Sequence, residues 1–161
     1  MFKRLLIANR GEIALRVLRT CKRMNIETVC VHSTADRDAL YLRLADRRIC
    51  IGPPAPIDSY LNINQILAAA EISDADSIHP GYGFLSENKR FADIVETCGI
   101  AFVGPSPDSI ELCGDKSRTR DAAAAAGIPT VPGSDGVVST DEEALAMSDR
   151  IGYPVPIKAS A

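Results

Sequence analysis

Short apolar runs and amphipathic stretches alternate along the first two thirds of the chain. Apolar or β-branched runs predict strands, and they lie at residues 4–8, 27–32, 48–51, 72–78 and 100–103. Apolar positions at helical spacing predict helices, which lie at residues 12–24, 36–46, 63–72 and 89–98. Strand and helix signals that alternate in this way are typical of α/β proteins. We therefore predict a parallel sheet with helices on both faces.

The remaining third predicts helices followed by one strand. A helix begins at Pro107 and ends near Gly114, and Asp115 can cap the next helix, which stops at Gly127. Thr140 and Glu143 form a capping box for a helix that ends near Arg150. Residues 153–158 predict a strand. We place a boundary within residues 113–130 and expect domains at 1–113 and 114–161.

Helix 12–24 separates apolar from basic positions. Its apolar side is predicted to hold Ile13, Val17, Cys21 and Met24, and a second side carries arginines at 16, 19 and 23. A row of arginines usually forms a solvated helix face. Cys21 and Cys98 are expected on apolar helix faces, as small hydrophobic residues.

Composition excludes several classes of protein. The 161 residues are 46% hydrophobic and 24% charged, which is ordinary for a globular protein, and the net charge of −3 gives no basic footprint for nucleic acid. No apolar run approaches the roughly 20 residues of a membrane helix, and the first strand begins too early to leave room for a leader. Five widely spaced cysteines predict neither disulfides nor a metal site. We expect a cytoplasmic protein that contacts neither membrane nor nucleic acid.

The segment Ser77-Ile-His-Pro-Gly-Tyr-Gly-Phe-Leu-Ser-Glu-Asn88 is the most informative part of the chain. A strand end opens into a loop in which Gly81 and Gly83 flank Tyr82, and Ser86 or Asn88 caps the next helix. Loops after parallel strands lie at the edge of the sheet where ligands bind. The loop is therefore either an ordinary strand–helix turn or a holder that fixes Tyr82 over a cleft.

Other candidate sites have simpler explanations. Residues 8–13 link a strand to a helix, but one glycine does not make a dinucleotide fingerprint, and Glu12 would repel a pyrophosphate. We expect Glu12 to pair with Arg16. His79 precedes a proline and is predicted to be a structural hydrogen bonder, and Asp36 a residue of a solvated loop.

These motifs together resemble biotin carboxylase, the ATP-dependent component of biotin-dependent carboxylases. The likeness covers essentially the whole chain in order. Besides 77–88, the matching segments are residues 6–16, 32–38, 59–62, 102–105, 114–116, 131–136 and 151–159. The resemblance implies a Rossmann-like domain followed by the first elements of an ATP-grasp region.

The resemblance also implies site residues and ligands. Lys116 and Lys158 would contact ATP, and Tyr82 and Gly83 would border the biotin pocket. The helix that carries Arg16 and Arg19 would lie near a subunit interface in a homodimer. ATP, Mg²⁺, bicarbonate and biotin on a carboxyl carrier protein are the implied ligands and partners. The magnesium ligands and catalytic residues would lie outside this chain, so no catalytic residue is assigned.

The chain departs from the family at two places. Pro156 replaces an aliphatic residue, which suggests an edge position, a sequence error or a damaged strand. The chain also stops before the family's glycine-rich phosphate loop, so we expect a fragment that is inactive alone. Another ATP-grasp ligase and a non-catalytic dimerisation or interaction domain are the alternatives. The parent would be an acetyl-CoA carboxylase subunit, which serves fatty acid biosynthesis, or part of a multidomain acyl-CoA or pyruvate carboxylase.

Overall fold

The computed structural model describes residues 2–130, 133–134 and 137–157, except the side chains of Lys116 and Ser117. They divide into two compact units, Met1–Ile110 and Glu111–Ala161. The first unit contains the strands and three helices, and α4 crosses the division. The elements are β1 (Arg4–Ile7), α1 (Gly11–Arg23), β2 (Glu27–His32), β3 (Arg47–Cys50), α2 (Ile63–Ile72), β4 (Ser77–His79), α3 (Lys89–Thr97), β5 (Ala101–Phe102), α4 (Pro107–Gly114), α5 (Lys116–Ala125) and α6 (Asp141–Ile151), with 3-10 helices at Leu40–Leu44 and Pro56–Asp58.

The five strands form one parallel sheet in the order β3-β2-β1-β4-β5. Leu6 in β1 lies opposite Val29 in β2 and Ile78 in β4. From β1 the chain builds the sheet outward through β2 to β3, and then returns to add β4 and β5 on the other side of β1. The direction of the strand order therefore reverses between β1 and β4, and the predicted parallel α/β sheet is confirmed.

Alternate residues of the strands bury opposite faces of the sheet. Leu6, Val29 and Ile78 belong to a core with α2 and α3, whereas Leu5 and Ile7 belong to a second core with α1. Successive strand side chains point to opposite sides of a pleated sheet, so the two cores lie on opposite faces. The prediction of helices on both faces is confirmed.

Helix α1 buries a different stripe from the predicted one. Ala14, Leu18 and Cys21 are buried, while Met24 is exposed and lies past the helix end. Ile13 and Val17 are only half-buried. Only Cys21 belongs to both the predicted and the observed stripe. The predicted positions also have helical spacing, and packing against the sheet decides which side of the helix is buried.

Several predicted elements are shorter in the structure, including β5, which spans only Ala101–Phe102 of the predicted 100–103. The expected helix at 36–46 is only the 3-10 helix Leu40–Leu44, because the preceding chain forms tight turns in which the Ala39 N–H donates to the Asp36 carbonyl. The apolar run at 72–78 contributes only three residues to β4, since α2 continues to Ile72.

Helix α3 begins after Asn88, whose Oδ1 accepts from the Phe91 N–H at 2.9 Å. Cys98 follows that helix and is exposed, so its predicted burial was wrong.

The second unit contains the predicted caps, and its described residues show no strand; residue 158 of the predicted strand lies outside them. The Asp115 carboxylate accepts from the Arg118 N–H at 3.0 Å at the start of α5, and Thr140 Oγ1 accepts from the Glu143 N–H at 3.2 Å at the start of α6. The Glu143 carboxylate accepts from Ser139 rather than from Thr140. Residues 153–157 form no strand. Pro154 and Pro156 supply no N–H, so this segment has few donors for a ladder.

The described ranges contain neither a membrane-spanning helix nor a cluster of metal-binding side chains. No helix there is long and apolar enough to cross a membrane. No group of three or more His, Cys, Asp or Glu side chains in those ranges could hold a metal ion.

Candidate functional site

Two loops meet at the carboxyl ends of β1 and β4. Residues 8–10 follow β1 and residues 80–84 follow β4, and the ladder continues between them because the Ala8 N–H donates to the His79 carbonyl at 2.9 Å. These strands flank the point where the strand order reverses, which is where open α/β sheets bind ligands. The predicted position of Tyr82 at the carboxyl edge is confirmed.

The backbone of the 80–84 loop is left-handed at three positions. Gly81, Gly83 and Phe84 have φ angles of 72°, 67° and 46°. A Cβ atom at Gly81 would lie 2.6 Å from Asn9 Nδ2 and 2.7 Å from a methyl carbon of Ile13, whereas one at Gly83 would meet no atom within 4 Å. Gly81 is therefore required by conformation and by space, and Gly83 by conformation alone.

Asn9 ties the two loops together. Its side chain is fully buried, and Nδ2 donates to the Pro80 carbonyl at 2.8 Å and to the Tyr82 carbonyl at 3.0 Å. Its Oδ1 accepts from the Arg10 N–H at 2.9 Å. Both backbone groups that flank Gly81 are thus held by one amide.

His79 supports the same loop from β4. Its Nδ1 lies 2.9 Å from the Gly81 nitrogen and accepts that N–H, which places the ring proton of the neutral form on Nε2. Burial lowers the pKa of His79, because the imidazolium would lose its hydration. The predicted role as a structural hydrogen bonder is confirmed.

An aromatic stack holds the far end of the loop. The Phe84 ring stacks on Tyr60 with centroids 5.2 Å apart and an interplanar angle of 18°. The Arg10 guanidinium carbon lies 5.4 Å from the Tyr60 centroid and 5.7 Å from that of Phe84. A guanidinium at these distances from two rings makes a favourable cation–π contact. The stack stabilises the left-handed backbone at Phe84.

Asp36 is the polar centre of this cluster, so its assignment to a solvated loop was wrong. Its Oδ2 accepts from the Tyr60 hydroxyl at 2.6 Å, from Ser33 Oγ at 3.0 Å and from Arg10 Nη1 at 3.4 Å. Partial burial acts to raise the pKa of Asp36, but these three donors outweigh it and lower that pKa. Burial and the hydrogen bond to Asp36 raise the pKa of Tyr60 to about 12. The Tyr60 hydroxyl also accepts from the Ser33 N–H at 3.0 Å.

The Tyr82 side chain projects from this rigid frame into solvent. It is 69% exposed and borders a groove of about 500 Å³ beside α1. The groove walls include Leu5, Ile13 and Val103, with Arg16 as a basic residue on the wall. An exposed phenol above apolar walls, with the charged side chains of Arg16 and Glu12 beside it, suits a flat ligand that carries both apolar and hydrogen-bonding groups.

Apart from the two lysines, the predicted site residues lie at two adjoining surfaces that share Arg16. Tyr82 and Arg16 line one groove, whereas Arg19 lies on the exposed side of α1 with Arg16 and Arg23. Arg16 makes no ion pair with Glu12, so the expected pairing was wrong, although both residues are exposed on α1.

The two lysines lie partly or wholly beyond the described structure. Lys116 begins α5, but its side chain is not described, and Lys158 lies outside the described residues. Their expected contacts with ATP stay predictions.

Five residues of the site were not predicted from the sequence. They are Asn9, Arg10, Asp36, Tyr60 and Phe84. Asn9 had a usable signal, because a polar residue directly after a buried strand lies at the ligand-binding edge. Tyr60 had none, since its partners at 33, 36 and 84 are distant in the sequence.

Comparison with known families divides the chain in two. Residues 1–110 match "Biotin carboxylase, N-terminal domain", and residues 115–161 match "Carbamoyl-phosphate synthase L chain, ATP binding domain".

Individual relatives extend this similarity over nearly the whole chain. A biotin carboxylase from Nostoc sp. is 58% identical over 99% of the chain, and the chain covers 36% of that relative. The biotin carboxylase domain dimer of Hydrogenobacter thermophilus 2-oxoglutarate carboxylase, solved with MgADP, ADP and bicarbonate, superposes with a TM-score of 0.89 at 49% identity. That match covers 99% of this chain and 35% of the solved one. Biotin carboxylase from Campylobacter jejuni, solved as a β-γ-ATP complex, gives a TM-score of 0.88 at 52% identity over 96% of this chain and 34% of that one. The chain thus spans about a third of the length of the relatives that it matches.

Proposed function

The chain belongs to the biotin carboxylase family, and we propose that it forms the amino-terminal part of an enzyme that carboxylates biotin. In that reaction ATP activates bicarbonate as carboxyphosphate, which then supplies the carboxyl group to biotin on a carrier protein. The observation that carries the proposal for this chain is the exposed Tyr82 on a clamped loop at the reversal of the sheet. Residues 1–113 would be the amino-terminal domain, and 114–161 the beginning of an ATP-grasp domain.

Tyr82 and Gly83 would border the biotin pocket. The bicyclic ring of biotin has apolar faces and a polar urea edge, so it needs a flat apolar contact together with nearby donors. The exposed Tyr82 ring offers that contact, and Gly83 lets the backbone approach closely because no side chain intervenes.

Lys116 and Lys158 would bind the phosphates of ATP. An ammonium group stabilises a transferring phosphoryl group mainly by electrostatics, which is the dominant contribution in phosphoryl transfer. The match of residues 115–161 to an ATP-binding domain supports this assignment. Mg²⁺ would accompany ATP, and its ligands together with the catalytic residues would lie on the remainder of the parent polypeptide.

Arg16 and Arg19 would serve association of two subunits. They are exposed on α1, and the related Hydrogenobacter domain is a dimer. A carboxyl carrier protein would be the second partner. We place the parent in acetyl-CoA carboxylase and fatty acid biosynthesis, and in the cytoplasm, where five free cysteines fit a reducing compartment.

Steady-state kinetics of the parent enzyme test this proposal. Tyr82→Ala should raise the KM for free biotin and leave the KM for ATP unchanged, since only the biotin contact is removed. Tyr82→Phe is the matched variant, because it keeps the ring and should stay near wild type. An unchanged KM for biotin in Tyr82→Ala would contradict the assigned pocket.

A further inference from the structure

We infer that Asn9 is a positioning residue, which holds the Tyr82 ring in the position where it contacts biotin. The inference rests on the proposed biotin pocket. It extends that proposal to a buried side chain that does not itself reach the groove.

Asn9 contacts the loop on both sides of its most constrained residue. Its amide nitrogen donates to the carbonyls of Pro80 and Tyr82, at 2.8 and 3.0 Å, and Gly81 lies between them. The Tyr82 side chain leaves the backbone within two bonds of the carbonyl that Asn9 holds. A change in either hydrogen bond therefore moves the Tyr82 ring.

The chemistry of the site selects an amide. Three polar atoms converge on the side chain, namely two carbonyl oxygens that need donors and the Arg10 N–H that needs an acceptor. Asparagine is the residue of this length that supplies two donors and an acceptor together. The opposite orientation of the amide would direct its oxygen at two carbonyl oxygens, so these contacts also fix which end is nitrogen.

The loop is closed against Asn9 without spare room. A Cβ atom at Gly81 would lie 2.6 Å from Asn9 Nδ2, and Asn9 itself is completely buried. His79 holds the Gly81 N–H, and the ring of Phe84 is stacked on Tyr60. The only large side chain of the loop left unpacked is Tyr82, as expected for a contact that is held ready for a ligand.

Asn9→Asp in the parent enzyme tests the inference with almost no change in shape. The new carboxyl group keeps the acceptor for the Arg10 N–H and supplies at most one donor to the two loop carbonyls, when it is protonated. We expect the KM for free biotin to rise roughly 10-fold, because a displaced contact loses binding, while biotin-independent, bicarbonate-dependent ATP hydrolysis stays within about twofold of wild type.

Asn88→Asp is the matched control. Asn88 uses only its Oδ1, to cap α3, and an aspartate caps a helix equally well. This control should leave all kinetic constants unchanged. If Asn9→Asp does not fold, Asn9→Ser retains one donor and is measured in the same assays.

A double-mutant cycle separates positioning from a general loss of stability. Asn9→Asp should have no further effect on the KM for biotin in a Tyr82→Ala background, since the ring that it positions is gone. Additive effects, or an equal loss of all activities, would overturn the inference. If the KM for biotin rises in Tyr82→Ala but not in Asn9→Asp, the inference about Asn9 is overturned and the proposed biotin pocket stands. If the KM for biotin rises in neither variant, the proposed pocket itself is contradicted.

Discussion

Gly81 combines a left-handed backbone with a closed environment, and each constraint has a separate cost. A non-glycine residue in this conformation costs about 1–2 kcal/mol, and forcing a methyl group into a packed site costs about 1–3 kcal/mol more. Gly99 isolates the first cost, because its φ of 75° is similar and a Cβ there meets no atom within 4 Å.

We predict that Gly81→Ala lowers the free energy of unfolding more than Gly99→Ala does. The expected difference is about 1–3 kcal/mol, which is the packing cost alone. Urea denaturation of both variants measures it. Equal losses would show that the loop yields around Asn9.

The Tyr60 hydroxyl makes two hydrogen bonds in the polar cluster around Asp36. Tyr60→Phe removes a hydroxyl that donates to Asp36 and accepts from the buried Ser33 N–H. We expect a loss of about 1–3 kcal/mol in the free energy of unfolding, because a buried donor is left without its partner. Tyr82→Phe, at an exposed position, should unfold like the wild type. A neutral Tyr60→Phe would mean that the cluster does not stabilise the fold.

At the scale of elements, strong local signals predicted position well. The bounds of β1, β2 and α2 agree with the sequence to within a residue, because an apolar or β-branched run marks each strand and apolar positions at helical spacing mark the helix. The prediction of a helix at 36–46 was wrong because Asp36 forms hydrogen bonds with Ser33 and Tyr60, and no local sequence pattern reveals these contacts. Likewise the position of Tyr82 at the carboxyl edge of the sheet followed from its loop, whereas the buried frame around it depends on contacts such as Asp36–Tyr60 and Asn9–Tyr82, which are 24 and 73 residues apart.

Helix α1 presents arginines on a side that the core does not use. In the parent enzyme, Arg19→Glu should shift a dimer toward monomer in sedimentation, most clearly at low salt, because screening weakens exposed charges. Arg90→Glu makes the same change on α3, on the opposite face of the sheet, and should leave the profile unaltered. Identical sedimentation of Arg19→Glu and wild type would contradict the proposed association surface.

At the scale of the whole molecule, lowered carboxylate pKa values link folding to pH. The hydrogen bond from Arg4 lowers the pKa of Glu27, and the Thr28 hydroxyl lowers that of Asp46. For Asp36 and Asp76 partial burial opposes the shift, but hydrogen bonds still lower the pKa. Each pKa is lower in the folded state, so the unfolded chain binds more protons at acidic pH. The free energy of unfolding therefore decreases as the pH is lowered.

We expect the free energy of unfolding to be constant above the ordinary carboxyl pKa values of 3.8 and 4.5, and to decline as pH falls through the lower folded-state values. Asp46→Asn should flatten part of that decline, since its side chain no longer titrates. Denaturation curves collected from pH 6 to 3 would contradict the linkage if stability did not change.

If the reaction is divided between this chain and the rest of its parent, only the complete enzyme should bind Mg·ATP. Two charge-assisted contacts from Lys116 and Lys158 give about 3–6 kcal/mol, while association costs on the order of 4 kcal/mol or more. Even millimolar binding needs about 4 kcal/mol net. In calorimetry we therefore expect Mg·ATP to bind the parent enzyme and to give no measurable binding to the 161-residue chain. A dissociation constant well below a millimolar for the chain alone would contradict the account, because the nucleotide site would then be complete within these residues.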